Sequence, residues 1–282
     1  MFYKFNNEEF ITLKNRNDEL TFEVKQLKEG KRVCFEVVPN KWKFIKSKRQ
    51  CCENNCVNTD RPNCFCINGN GFIRIKNNTN IEYINCRNEN EINKIAIIKT
   101  ENIFNRPKQN SELSKCCLNC TSIFTLFYYE VKFQFENLIE IGIGFKKDED
   151  TIISLWPIEK ICYYFKNKTH YIYLPSFSIK NEDIIGCGLV YPPPKINNKL
   201  PYENYEYYQP YIGLKCCSAE TNFGDDVKSK PFIYNISKHY VAEEFYKDEE
   251  FYLHIIRFVS SSRIDWYHSR FIKLTMNRVT CD

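Results

Sequence analysis

Two neighbouring runs, FTLFYYEVKFQF at 124–135 and IEIGIGF at 139–145, leave little choice of secondary structure. From Tyr129 the first run alternates. Tyr129, Val131, Phe133 and Phe135 fall on one face, and Glu130, Lys132 and Gln134 on the other. In the second, Ile139, Ile141, Ile143 and Phe145 oppose Glu140, Gly142 and Gly144. A repeat of two residues is that of a strand. A turn at Glu136-Asn137 separates the runs, which predicts adjacent antiparallel strands sharing one buried face. Val131, Phe133, Ile141 and Ile143 then point inward, while Lys132 and Glu140 meet water.

The rest of the chain continues in short apolar runs between turns. Candidate strands lie at Phe10–Leu13, Val33–Val38, Phe72–Ile75, Ile81–Cys86, Ile95–Ile98, Asp183–Val190 and Tyr211–Cys216. Trp42 and Phe44 also alternate with lysines. Asn68-Gly69-Asn70-Gly71 reads as a turn, and Pro192-Pro193-Pro194 ends the strand before it. No helical stripe of useful length intervenes, so a βαβ fold is excluded and a sandwich or barrel is expected. Composition agrees: 22 Phe and 19 Tyr against 9 Gly favour β structure.

The chain divides into an N-terminal β-rich extension at 1–50, a main domain at 51–240 and a tail at 241–282 with no assignable pattern. The start carries no apolar signal segment and no run is long enough for a transmembrane helix, so a cytoplasmic chain without membrane partners is expected. The net charge of +5 comes from interleaved charges and makes nucleic acid an unlikely partner.

The chemistry of catalysis is missing from the pattern. The four histidines, His170, His239, His254 and His268, sit beside no nucleophile elbow. There is no phosphate-cradling glycine loop. Asp225-Asp226 reads as a solvated turn. Catalytic residues are therefore assigned as none. The fifteen cysteines are the unusual feature. Buried thiols and disulfides are the plain alternatives to a metal site. Cys52-x3-Cys56 is followed by Cys64-x-Cys66, and Cys117-x2-Cys120 has the spacing of a metal knuckle. The metal reading is a four-cysteine zinc site drawn from Cys52, Cys56, Cys117 and Cys120.

Six segments in order resemble the SPRY (B30.2-like) domain family. They are Tyr128-Tyr129-Glu130-Val131, Ile141-Gly142-Ile143-Gly144-Phe145, Glu182 to Gly188 (EDIIGCG), Tyr211-Ile212-Gly213-Leu214, Asn222-Phe223-Gly224 and Pro231 to Ile236 (PFIYNI). The resemblance implies an all-β, bent sandwich of two antiparallel sheets, concanavalin-like, that binds a protein or peptide partner through loops at one edge. This chain departs from the family near 190–210, where a hairpin is replaced by a shortened proline-rich segment. It departs again at Tyr163 to Lys168, where an acidic-glycine loop is lost. The edge-loop expectation falls on Trp156, in a loop after Phe145, on Tyr163, Tyr164 and Phe165, and on Tyr205, Tyr207 and Tyr208 in a second loop at 204–208. The function expected is that of an interaction module or adaptor. The alternatives are a cysteine-rich structural protein stabilised by zinc and a weak nucleic-acid binder.

Overall fold

In the computed structural model, described residues are Asn17, 32–45, 51–58, 60–67, 71–86, 93–105, 123–135, 140–146, 151–156, 160–165, 168–173, 179–191, 207–236 and 252–258. For 151–156, 160–165, 168–173 and 252–258 the description covers the backbone. The strands before the long central one are β1 (Arg32–Phe35), β2 (Trp42–Ile45), β3 (Phe72–Ile75), β4 (Asn80–Ile84), β5 (Ala96–Thr100) and β6 (Phe104–Asn105). The central run is β7 (Ile123–Gln134), followed by β8 (Glu140–Lys146), β9 (Thr151–Trp156), β10 (Lys160–Phe165) and β11 (Lys168–Tyr173). Then come β12 (Ile184–Tyr191), β13 (Tyr207–Lys215), β14 (Ser218–Asn222) and β15 (Tyr252–Phe258). Among the described residues, no helix is long and apolar enough to cross a membrane.

These strands build an all-β sandwich of two sheets. One runs β15-β12-β7-β14-β4-β3, with β1 added in parallel beside β7. The other runs β11-β10-β9-β8-β13-β5-β2, with β6 added on β13. The two runs at 124–135 and 139–145 are strands with the expected inward faces. Val131, Phe133, Ile141 and Ile143 are buried, and Lys132 and Glu140 are half-exposed. They do not pair with each other, however. β7 pairs β12 and β14, while β8 pairs β13 and β9 in the opposite sheet. The chain passes from one layer to the other between them, so their apolar faces meet across the core rather than side by side.

Two large rings pair their polar groups across this core. The Tyr129 hydroxyl donates to the Gly144 carbonyl of the facing sheet at 2.9 Å. The Trp42 indole N–H on β2 donates to Thr221 Oγ1 on β14 at 3.0 Å. Each bond lets a large amphipathic ring sit inside without leaving a buried donor unpaired.

A second apolar layer lies outside β7. Phe124, Leu126, Tyr128 and Val190 are buried beneath Val33, Phe35, Phe232, Tyr234 and Ile236. The segment Phe232–Ile236 alternates: Phe232, Tyr234 and Ile236 pack down, while Ile233 is 56% exposed. Glu130 anchors this strap. Its carboxylate accepts the backbone N–H groups of Ile233 (2.9 Å) and Tyr234 (2.8 Å) and the Tyr128 hydroxyl (3.1 Å). The signal for the layer is in the sequence, since Phe124, Leu126 and Tyr128 make the polar face of β7 apolar over its first half.

Tyr128 lies directly over Gly186 of β12. A Cβ added at Gly186 would stand 1.8 Å from the Tyr128 hydroxyl oxygen. The tyrosine cannot swing away, because its ring is packed against Phe232 at 5.0 Å and Tyr234 at 5.7 Å. Gly186→Ala is therefore expected to destabilise by about 2–3 kcal/mol through overpacking. Thermal melts check this. Adding Tyr128→Phe, which removes the clashing oxygen, should recover part of the loss, and two fully additive losses would contradict the contact.

Candidate metal centre

Between β2 and β3, the described residues 51–58 and 60–67 follow turns set by asparagines. The Asn55 N–H donates to the Cys52 carbonyl at 3.0 Å, and Asn55 takes a left-handed φ of 47°. Asparagine tolerates that region better than most side chains. Asn58 closes the next turn, its Oδ1 accepting the N–H groups of Asp60 and Arg61, both at 2.9 Å. The Cys64 N–H then reaches the Arg61 carbonyl at 3.2 Å. These reversals bring Cys66 back against the start of the loop.

The result is a cluster of four thiols, Cys51, Cys52, Cys56 and Cys66, whose Sγ atoms all lie within 4.8 Å of one another. Cys51 and Cys66 are buried, and Cys52 and Cys56 are half-buried. The Cys52 and Cys56 sulfurs are 3.4 Å apart, and those of Cys51 and Cys52 are 3.9 Å apart. A tetrahedral zinc with bonds of about 2.3 Å to sulfur spaces its ligands by about 3.8 Å, so these separations are close enough for one ion to be shared by all four sulfurs. The donor set is wholly soft, which suits zinc over magnesium or calcium.

Backbone donors already favour charge on this cluster. The Val57 N–H donates to Cys51 Sγ at 3.1 Å. The Cys56 N–H, with the thiols of Cys56 and Cys66, holds the Cys52 thiol down at about 6. Its neighbour Cys56 is pushed up, chiefly because it donates to Cys52. Elsewhere burial pushes thiols up, as at Cys217, to about 12. Cys52 is thus set apart from the buried Cys217 by the donors around its sulfur.

Of the ligands expected from spacing, Cys52 and Cys56 are in the cluster, while Cys117 and Cys120 lie outside the described residues. Cys51 and Cys66 were not expected. Cys66 is marked by its neighbour Cys64, but Cys64 itself points to solvent. The partner-binding set needs two corrections. Trp156 ends a strand, β9, rather than lying in a loop, because TIISLW is rich in β-branched residues and pairs with both β8 and β10. Tyr208 is fully buried, and Tyr207 beside it is 39% exposed. Both lie on β13, not in a loop, and strand alternation sends them to opposite faces. Tyr163, Tyr164 and Phe165 lie on β10, between β9 and β11. Tyr205 lies outside the described residues. Asp226 closes an exposed turn with Ser229, and Asp225 accepts the Asn40 N–H at 3.2 Å.

No family model matches the chain, and no curated protein does. Among solved structures the chain has a weak, partial similarity to the SPRY domain of human HERC1. The identity is 10% and the TM-score 0.32, over 54% of this chain and 93% of that one.

Proposed function

We propose that this chain is a cysteine-rich, non-catalytic β-sandwich whose structure is stabilised by zinc held on Cys51, Cys52, Cys56 and Cys66. The observation that carries the reading is the convergence of four sulfurs within 4.8 Å. Four thiolates complete the coordination of zinc and leave no position for water or substrate, so the ion is structural. Metal analysis of the full chain, purified reduced, should give about one equivalent of zinc, and Cys66→Ser should abolish it. Metal-free wild-type protein with the same fold would end the reading.

Protein binding is the role proposed for the surface. Phe65 and Ile67, 45% and 64% exposed, flank the ligand Cys66 and project from the metal loop. Tyr207 adds an exposed aromatic ring on β13. Exposed rings and aliphatic groups on a rigid frame suit a peptide partner. Trp156, Tyr163, Tyr164, Phe165 and Tyr205 belong to the same proposal.

A further inference from the structure

The four sulfurs of the cluster divide into two pairs by their surroundings. Cys51 and Cys66 are buried and belong to the main hydrophobic core. The Val57 N–H also holds Cys51 Sγ, at 3.1 Å. Cys52 and Cys56 pack against that core from outside and are half-buried. A reagent arriving from water therefore meets Cys52 and Cys56 first. These two sulfurs are 3.4 Å apart, nearer than those of Cys51 and Cys52 at 3.9 Å. One turn carries both, closed by the Asn55 N–H on the Cys52 carbonyl at 3.0 Å. A disulfide holds its sulfurs about 2.05 Å apart, so Cys52 and Cys56 join after a small side-chain movement. Joining the sequence neighbours Cys51 and Cys52 would instead strain the peptide between them.

We propose that Cys52 and Cys56 are a peroxide-reactive pair whose oxidation releases the zinc. The inference rests on the four-thiolate reading, because zinc-bound sulfurs are thiolates, the form that attacks a peroxide. One thiolate of the pair attacks an oxygen of hydrogen peroxide. The O–O bond breaks, a sulfenic acid forms and hydroxide leaves. The other thiolate attacks the sulfenic sulfur, the S–S bond forms, the S–O bond breaks and a second hydroxide leaves. The thiolates have lost two electrons and the peroxide has gained them. Two protons from the solvent convert both hydroxides to water. The ion is left with Cys51 and Cys66, half of its donors, and dissociates. The buried pair stays reduced within the core, so the site is restored when a dithiol reopens the disulfide and zinc returns.

The test treats the full chain, loaded with zinc, with hydrogen peroxide. A chromophoric chelator follows the released zinc, and alkylation with peptide mass mapping locates the disulfide. About one zinc should leave per Cys52–Cys56 disulfide, with Cys51 and Cys66 recovered as alkylated thiols. Dithiothreitol with added zinc should return the metal content to its starting value. Cys64→Ser should release zinc at the wild-type rate, because Cys64 is exposed and outside the cluster. Zinc that stays bound with the pair unlinked overturns the inference and leaves the four-thiolate reading intact. Release without that disulfide, or with one through Cys51, Cys64 or Cys66, does the same. Protein purified reduced yet free of zinc removes both.

Discussion

Glu130→Leu is expected to destabilise the protein by about 3–5 kcal/mol and to release the strap at 232–236 from the outer face of β7. Two backbone N–H groups lose their acceptor, each at about 1–3 kcal/mol, and the Tyr128 hydroxyl loses a third bond. Urea unfolding gives the magnitude, and exchange at Ile233 and Tyr234 shows the release. An unchanged midpoint with both amides still protected would contradict the anchoring role. The carboxyl also carries a pH signature. Burial pushes Glu130 above the usual carboxylate value of 4.5, and the N–H groups of Tyr234 and Ile233 and the Tyr128 hydroxyl pull it back only in part. The groups facing it are Tyr128 and Tyr234, both pushed up by burial. A folded value above the unfolded one means that the folded state binds the proton more tightly. The associated stability is complete below 4.5 and is lost as pH rises through the folded value. Relative to Glu130→Gln, which does not titrate, the wild type should therefore weaken as pH rises above 4.5.

Withdrawal of zinc should have an effect of similar size. With free zinc a thousandfold above its Kd, linkage stabilises the folded state by about 4 kcal/mol. For a chain of this length that corresponds to roughly 8–16 °C in Tm. EDTA should remove this increment from the wild type and leave Cys66→Ser unaffected. Cys64→Ser should behave as wild type, because Cys64 is exposed and outside the cluster. A Cys64→Ser variant that loses zinc would require a different ligand set.

Several strands, among them β3, β5, β7, β8 and β12, were readable from local pattern because a buried face shows itself in alternation or in an apolar run between turns, whereas β9, the start of β13 and β15 were not. Partner strands were not readable in that way. The pairs β7 with β12 and β8 with β13 join segments more than forty residues apart, and no local signal encodes such a choice. Tyr208 was misplaced for a related reason. Pro210 reads as a strand breaker, yet it sits within β13 opposite Phe145, where the chain tolerates the missing N–H. Once the strand extends back to Tyr207, the burial of Tyr208 follows. At the four-cysteine cluster, Cys52-x3-Cys56 was legible as a pair. The choice of Cys51 and Cys66 depends on the turns at Asn55 and Asn58, whose geometry decides which of several nearby thiols converge. The outer apolar layer was legible in Phe124, Leu126 and Tyr128, but what covers it comes from distant segments on both sides, Val33 and Phe35 upstream and Phe232, Tyr234 and Ile236 downstream.

The position of β15 bears on how such a chain is made. It forms the outer neighbour of β12, pairing Ile184 with Phe258 and Val190 with Tyr252. Translation at about 5–20 residues per second separates the emergence of Tyr191 from that of Phe258 by on the order of several seconds. Throughout that interval β12 leaves the ribosome with one side unmatched, and its sequence, IIGCGLVY, has no charge to deter other strands. Long-range sheet pairing is itself slow, on the millisecond-to-second scale. The outer side of β12 is thus completed only when β15 arrives, long after the rest of β12 has a partner in β7.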